Sequence, residues 1–132
     1  MTKNKIHTFE KSERLSSKIV IDKLFSHGKS FTAYPFRIIY LSVPKEISVN
    51  APLSVLMSVS KKKFKTAVKR NRVKRLMRET YRLNKQRLIL DLQQKEINVA
   101  AAFIYLDQEI KEYTFMEKKM IEALAELSKR IK

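Results

Sequence analysis

The chain has 132 residues, which fits one domain, and its 29 Lys and Arg against 13 Asp and Glu leave a formal net charge of +16. It has no cysteine, which excludes disulfide scaffolds, thiol nucleophiles and cysteine-ligated zinc, and His7 and His27 lack the spacing of a zinc site. No apolar run is long enough to cross a bilayer, and the N-terminus has no apolar signal-peptide region. We therefore expect a cytoplasmic protein whose partner is a polyanion and not a membrane.

The N-terminal part of the chain predicts an arm followed by a helix. Residues 1–12 are polar and aperiodic, and we interpret them as a flexible arm. Apolar residues at helical spacing predict a helix over residues 15–25, capped by Ser16 or Ser17. Gly28, the only glycine in the chain, lies where a helix would end in a left-handed residue.

Two β-rich segments follow the first helix. Residues 36–43 come after a proline and are rich in β-branched and aromatic side chains. Residues 53–59 alternate apolar and polar side chains, and the proline-bracketed residues 44–52 connect the two segments. The pattern predicts two strands of an antiparallel hairpin.

The C-terminal half predicts a helix, a strand and a second helix. Residues 66–83 contain no Gly or Pro and are rich in helix formers, with an apolar stripe, and residues 97–106 form an apolar run typical of a strand buried on both faces. After an acidic loop, Thr114 and Glu117 have the spacing of a capping box that would open the last helix. The resulting order α-β-β-α-β-α predicts an α+β fold, a two-layer α/β sandwich, with residues 13–132 as a single domain.

Most of the excess charge lies in one short segment. Residues 61–87 carry 13 basic and 1 acidic side chains, a net of +12, and residues 61–78 carry ten cations and no acid. Like charges at helical spacing weaken a helix, so this pattern indicates that another molecule supplies the countercharge. A helix face that only meets solvent usually carries both positive and negative charges, and this one carries no acid. A membrane-bound helix would insert its apolar face into the bilayer, whereas the apolar face of this helix is needed for core packing. Arginine favours RNA, since its planar fork binds phosphate bidentately and stacks on bases.

The basic segment contains Arg70-Asn71-Arg72 within AVKRNRVKRLMRE (residues 67–79), preceded by SVSKK (residues 58–62). In these motifs the chain resembles the protein subunit of bacterial ribonuclease P. Upstream, Arg14-Leu15 and LFSHGKS (residues 24–30) are similar to the family's first helix and glycine turn, and the Thr114 helix agrees in position. The resemblance covers residues 13–128, and the ordered set of motifs at these spacings is highly specific.

The resemblance implies a division of labour in which the RNA subunit cleaves precursor tRNA with Mg²⁺ and the protein holds the 5′ leader and steadies the catalytic RNA. It also implies a left-handed βαβ crossover through the basic helix, where chirality rules would predict a right-handed one. No protein-bound cofactor or metal is expected. The residues expected to contact the catalytic RNA are Lys61, Lys62, Lys63, Lys65, Arg70, Asn71, Arg72, Lys74, Arg75 and Arg78.

The family's leader-binding cleft lies between the first helix and the sheet, and its helix usually offers two aromatic side chains that would stack on unpaired bases. This chain has Ile21 at one of those positions, and it has Lys65 near where the family usually has glycine. The alternative is core packing, since an aromatic side chain at helical spacing belongs more often to the core than to a stacking surface. The residues expected to line the cleft are Arg14, Ile21, Phe25, Phe36, Arg37 and Tyr40.

Two other functions stay open at this point. A structural RNA-binding protein of the small ribosomal-protein type shares the size, charge and mixed fold, but it would need no base-stacking groove. A protein-only nuclease would need converging carboxylates, a histidine pair or an activated nucleophile. The acids Asp107, Glu109 and Glu112 cluster in a loop far in sequence from the basic helix, and we interpret them as solvent-facing rather than as a metal site.

Overall fold

The structure, a computed structural model, describes residues 13–43 and 51–131, so the predicted arm lies outside the described residues. Within these ranges the chain forms helices on both faces of one four-stranded sheet. The elements in chain order are α1 (Lys18–His27), β1 (Lys29–Ala33), β2 (Phe36–Val43), β3 (Leu53–Val59), α2 (Ala67–Asn84), α3 (Gln86–Lys95), β4 (Asn98–Tyr105) and α4 (Tyr113–Arg130).

The strand order in the sheet is β1-β2-β4-β3. β2 pairs antiparallel with β1 and with β4, whereas β3 pairs parallel with β4. The predicted β2–β3 hairpin is therefore wrong, because β4 lies between the two strands. β4 is buried along nearly its whole length, as its continuous apolar sequence predicted, and such a strand takes the centre of a sheet.

The parallel pairing of β3 with β4 requires a crossover, which α2 and α3 supply. This agrees with the βαβ unit that the family resemblance implies; its left hand stays a prediction. The α+β class and the predicted order of elements are confirmed, with β1 and α3 as additions. β1 buries only Phe31, and α3 follows α2 after a single residue without a side-chain cap, so neither had a strong local signal.

The sheet separates two apolar cores of different size. The main core packs α2, α3 and α4 against one face of the sheet and includes Val73, Met77, Met120 and Leu127. The second, smaller core lies on the opposite face and packs α1 against Ile39 of β2 and two alanines of β4. The sheet and the layer of α2, α3 and α4 form the predicted two-layer sandwich. α1 lies outside these two layers and covers part of the opposite face of the sheet.

The helix ends confirm one predicted cap and correct two other predictions. Ser17 caps α1, accepting a hydrogen bond from the Val20 amide at 3.4 Å. Gly28 was predicted to be left-handed, but its backbone is extended, with φ −68° and ψ 152°. The Thr114 capping box is also wrong, because the N-cap of α4 is Glu112, two residues before Thr114, and no side chain caps the helix. The Glu117 carboxylate instead accepts a hydrogen bond from Asn84 Nδ2 on α2 at 3.2 Å.

Candidate nucleic-acid interface

α2 has one buried side and one strongly cationic side. Thr66 caps the helix by accepting a hydrogen bond from the Lys69 amide at 3.4 Å. Val73 and Met77 are fully buried in the main core, and the Thr80 hydroxyl donates to the Leu76 carbonyl at 2.9 Å. The helix is therefore anchored along its apolar stripe, and its opposite side is left to solvent.

We call the exposed polar side of α2 and the loop before it the basic face. In the part of the chain that the structure describes, none of its side chains forms an ion pair, so the countercharge must come from another molecule. The exposed members of the basic face are Lys61, Lys62, Lys65, Lys69, Asn71, Arg72, Arg75 and Arg78.

The basic face ends at an internal ion pair. Arg82 Nη2 lies 2.6 Å from Glu79 Oε1, and the hydrogen bond from this guanidinium lowers the pKa of the Glu79 carboxyl. Arg82 is thus neutralised within the chain. The cations available to a phosphate backbone lie N-terminal to Glu79, on the loop and the first three turns of α2.

Three residues predicted to contact RNA are half-buried. The Lys63 ammonium donates to the Leu106 carbonyl at the end of β4. Arg70 Nη1 donates to the carbonyls of Phe64, at 2.8 Å, and Lys65, at 3.1 Å. Lys74 is half-buried on α2. Lys63 and Arg70 therefore have intramolecular partners that the sequence did not reveal.

α1 carries the predicted leader-binding helix positions on the side of the sheet opposite to α2. Val20 and Leu24 are buried in the second core, and Ile21 is half-buried against it. Phe25, four residues after Ile21, is 51% exposed. A half-exposed phenylalanine next to an apolar neighbour is available for stacking on a base.

The two predicted arginines of the cleft are exposed at different places. Arg37 pairs in register with Ile104 of β4, which packs against the second core, so Arg37 lies on the α1 side of the sheet. Arg14 precedes α1 and bridges to Val55 at the edge of β3. The structure thus brings Arg37 to the same sheet face as α1, and places Arg14 along the β3 edge.

Phe36 and Tyr40 do not line a cleft beside α1, and this prediction is wrong. Both belong to the main core, where Phe36 is 0% and Tyr40 7% exposed. Successive strand residues point to opposite faces, so these even-numbered positions of β2 face α4 and its neighbours while Ile39 faces α1. The Phe36 ring packs edge-on against Tyr105, with centroids 6.1 Å apart.

Sequence reasoning missed the sheet residues that accompany α1. Leu56 of β3 and Ile104 of β4 are half-buried and pack against the second core. The alternation of β2, which puts Arg37 and Ile39 on one face, was the available signal. We refer to Ile21, Phe25, Arg37, Leu56 and Ile104 as the α1-side surface.

The acidic loop after β4 is partly structural. Asp107 is buried, which corrects the solvent-facing prediction, whereas Glu109 and Glu112 are exposed as predicted. Asp107 Oδ1 accepts from the Glu109 amide at 2.9 Å, and Lys111 Nζ lies 3.2 Å from Oδ2. The amide hydrogen bond, with help from Tyr34 and Lys111, lowers the pKa of Asp107. Over residues 13–43 and 51–131, no three His, Cys, Asp or Glu side chains form a group that could hold a metal ion.

Burial raises the pKa of Tyr105, beside this loop, to about 12, and its hydroxyl donates to the Glu109 carbonyl at 2.6 Å. Tyr105 thus fixes the path of the loop.

Within the described ranges, no helix combines the length and apolar character that crossing a bilayer requires.

Comparison with known proteins identifies relatives over nearly the whole chain. A family model described as Ribonuclease P matches residues 9–131. The ribonuclease P protein component of Porphyromonas gingivalis is 40% identical over 129 residues, which is 97% of this chain and 92% of the relative. That of Chlorobaculum tepidum is 34% identical over 110 residues, 80% of this chain and 71% of the relative. These relatives do not favour a ribosomal-type structural protein.

Solved structures agree with the fold. The RNase P protein of Staphylococcus aureus superposes with a TM-score of 0.66 at 21% identity, covering 89% of this chain and 95% of that chain. The RNase P protein of Thermotoga maritima superposes with a TM-score of 0.65 at 23% identity, covering 91% and 98%. The chain belongs to the ribonuclease P protein family, the protein component of the endoribonuclease that processes the 5′ ends of tRNA.

Proposed function

We propose that this protein docks onto the catalytic RNA of ribonuclease P through its basic face and holds the 5′ leader of precursor tRNA on its α1-side surface. The observation that carries the first half is the set of exposed cations on one side of α2, none of which has a carboxylate partner within the described ranges. Each cation that meets a phosphate releases condensed counterions, so such a face binds RNA with strong salt dependence.

The α1-side surface supports the second half of the proposal. It combines the half-exposed ring of Phe25 with aliphatic Ile21 and with the guanidinium of Arg37. Single-stranded RNA is bound by such combinations, in which bases stack on a ring and phosphates meet cations. The two surfaces lie on opposite faces of the sheet, so one protein can touch two RNA segments at once.

The chemistry of cleavage is assigned to the RNA. In the acidic loop after β4, Asp107 accepts a hydrogen bond from the Glu109 amide, and Lys111 Nζ lies 3.2 Å from Asp107 and 3.8 Å from Glu109. We place the Mg²⁺ expected for the reaction on the RNA, as the family resemblance implies, and we assign binding and orientation of the RNA to the protein. The proposed location is the cytoplasm, where bacterial precursor tRNA is matured.

Reconstitution with the catalytic RNA tests this proposal. Full-length protein added to cognate ribonuclease P RNA should increase the rate of precursor-tRNA cleavage at low Mg²⁺, because protein cations offset phosphate repulsion that Mg²⁺ otherwise screens. The control is the triple variant Arg72→Ala/Arg75→Ala/Arg78→Ala, which should give little stimulation. A wild-type protein that changes neither cleavage rate nor substrate affinity contradicts the proposal.

A further inference from the structure

The loop before α2 presents lysines in an ordered turn. We call residues 60–65 the lysine loop. The amides of Lys63 and Phe64 donate to the Ser60 carbonyl at 3.3 and 3.2 Å, and the Lys62 amide donates to Ser60 Oγ at 3.1 Å. Four lysines within five positions repel one another, and this repulsion opposes so tight a turn. The turn therefore needs anchors elsewhere in the molecule.

Two anchors attach the lysine loop to the end of the sheet. Phe64 is 4% exposed, and its ring centroid lies 6.1 Å from that of Tyr105. The Lys63 ammonium donates to the Leu106 carbonyl. These contacts hold the middle of the loop, while the ammonium groups of Lys61, Lys62 and Lys65 stay exposed.

The third anchor is Arg70, one turn into α2. Its Nη1 bridges the carbonyls of Phe64, at 2.8 Å, and Lys65, at 3.1 Å. These two carbonyls lie just before the helix, where the chain turns from the loop into α2, and a guanidinium bond to them is charge-assisted. Arg70 thereby fixes the loop relative to the helix that carries the other cations.

We propose that Arg70 is a positioning residue: it acts on RNA through the lysine loop, holding Lys61, Lys62 and Lys65 in place for phosphate contact, rather than chiefly as a phosphate ligand itself. The proposal rests on the proposed function, since it requires that the basic face bind RNA. Arg72, two residues on, is exposed and has no bond to the loop within the described ranges, so it is a matched control.

A double-mutant cycle on binding to the cognate ribonuclease P RNA separates positioning from direct contact. Arg70→Ala should weaken binding by about tenfold in the wild-type background, the size of one charge-assisted hydrogen-bonding site. In the background Lys61→Ala/Lys62→Ala/Lys65→Ala, the same substitution should weaken binding by less than about twofold, because no lysines remain to be positioned. Arg72→Ala should have the same effect in both backgrounds.

Equal effects of Arg70→Ala in the two backgrounds would overturn the positioning role. If the triple lysine variant instead binds RNA as tightly as the wild type, the lysine loop does not contact the RNA. This result is distinct from equal effects of Arg70→Ala, which contradict only the positioning role. Hydrogen exchange of the free protein adds a readout without RNA: the Lys62, Lys63 and Phe64 amides should exchange faster in Arg70→Ala than in Arg72→Ala. Arg70→Gln serves as a second variant if Arg70→Ala unfolds, and unchanged exchange in a folded variant contradicts the proposal.

Discussion

Gly28 occupies the single residue between α1 and β1. Its backbone is extended, a conformation that any residue adopts, so its lack of a side chain must have another cause. A Cβ at this position would lie 2.3 Å from the Leu24 carbonyl oxygen and 2.8 Å from Ile39 Cγ2. Glycine is required here because α1 turns onto β2 with no room for a methyl group.

Substitution Gly28→Ala should therefore destabilise the protein by about 1–3 kcal/mol, the usual cost of overpacking, since the nearest atom belongs to the backbone and cannot rotate away. Urea unfolding followed by circular dichroism measures the change. Ser30→Ala, at an exposed position two residues later in β1, is the matched control and should leave the midpoint unchanged. An unchanged midpoint for Gly28→Ala would show that α1 can shift without cost.

Lys85 joins α2 to α3 and carries a buried charge. Its backbone is helical, with φ −77° and ψ −21°, so one residue serves as the last cap of α2 and the first of α3. Its side chain is 2% exposed, forms an ion pair with Glu13 and lies 5.9 Å from the centroid of the Tyr81 ring. The ion pair ties the segment before α1 to the helical layer across the β3 edge.

Removing one partner of this pair should cost far more than removing both. Glu13→Ala should destabilise the protein by about 3–5 kcal/mol, because it removes the carboxylate that forms an ion pair with the buried Lys85 ammonium. Glu13→Ala/Lys85→Met should recover much of that loss, since methionine fills a similar volume without charge. Urea unfolding of both variants checks this, with Glu126→Ala, which breaks an exposed pair with Arg130, as a control of little effect. A double variant less stable than Glu13→Ala would contradict the argument.

The local sequence pattern predicted the bounds of the strands and helices better than it predicted which strands pair with each other. β2 and β3 match the predicted residues 36–43 and 53–59, and α2 lies within one residue of its predicted bounds. Alternation and helical spacing are properties of a segment alone, so they are visible in sequence. That β4 separates β2 from β3 depends on the crossover, which involves residues more than forty positions apart in the chain and leaves no local trace.

At the scale of the molecule, the sheet places the two candidate RNA surfaces on opposite faces. The basic face was predictable because charge and exposure coincide on one helix. The α1-side surface was predicted only in part, since Phe36 and Tyr40 have the right chemistry but face the main core. Deciding which face of β2 meets α1 required the packing of Ile39 against α1, which the sequence does not state.

Because the two surfaces are separate, substitutions on them should change different quantities. Arg75→Ala should weaken binding to the catalytic RNA and lower the slope of log affinity against log salt by about 0.7–0.9 for the lost phosphate contact, with leader discrimination unchanged. Phe25→Ala should leave that slope unchanged but reduce the preference for leader-bearing over leaderless precursor tRNA by about 1–3 kcal/mol, the value of one stacked base. Ile19→Ala, exposed on another side of α1, controls for changes in the helix. If Phe25→Ala weakens the binding of both substrates equally, the Phe25 ring does not contact the leader.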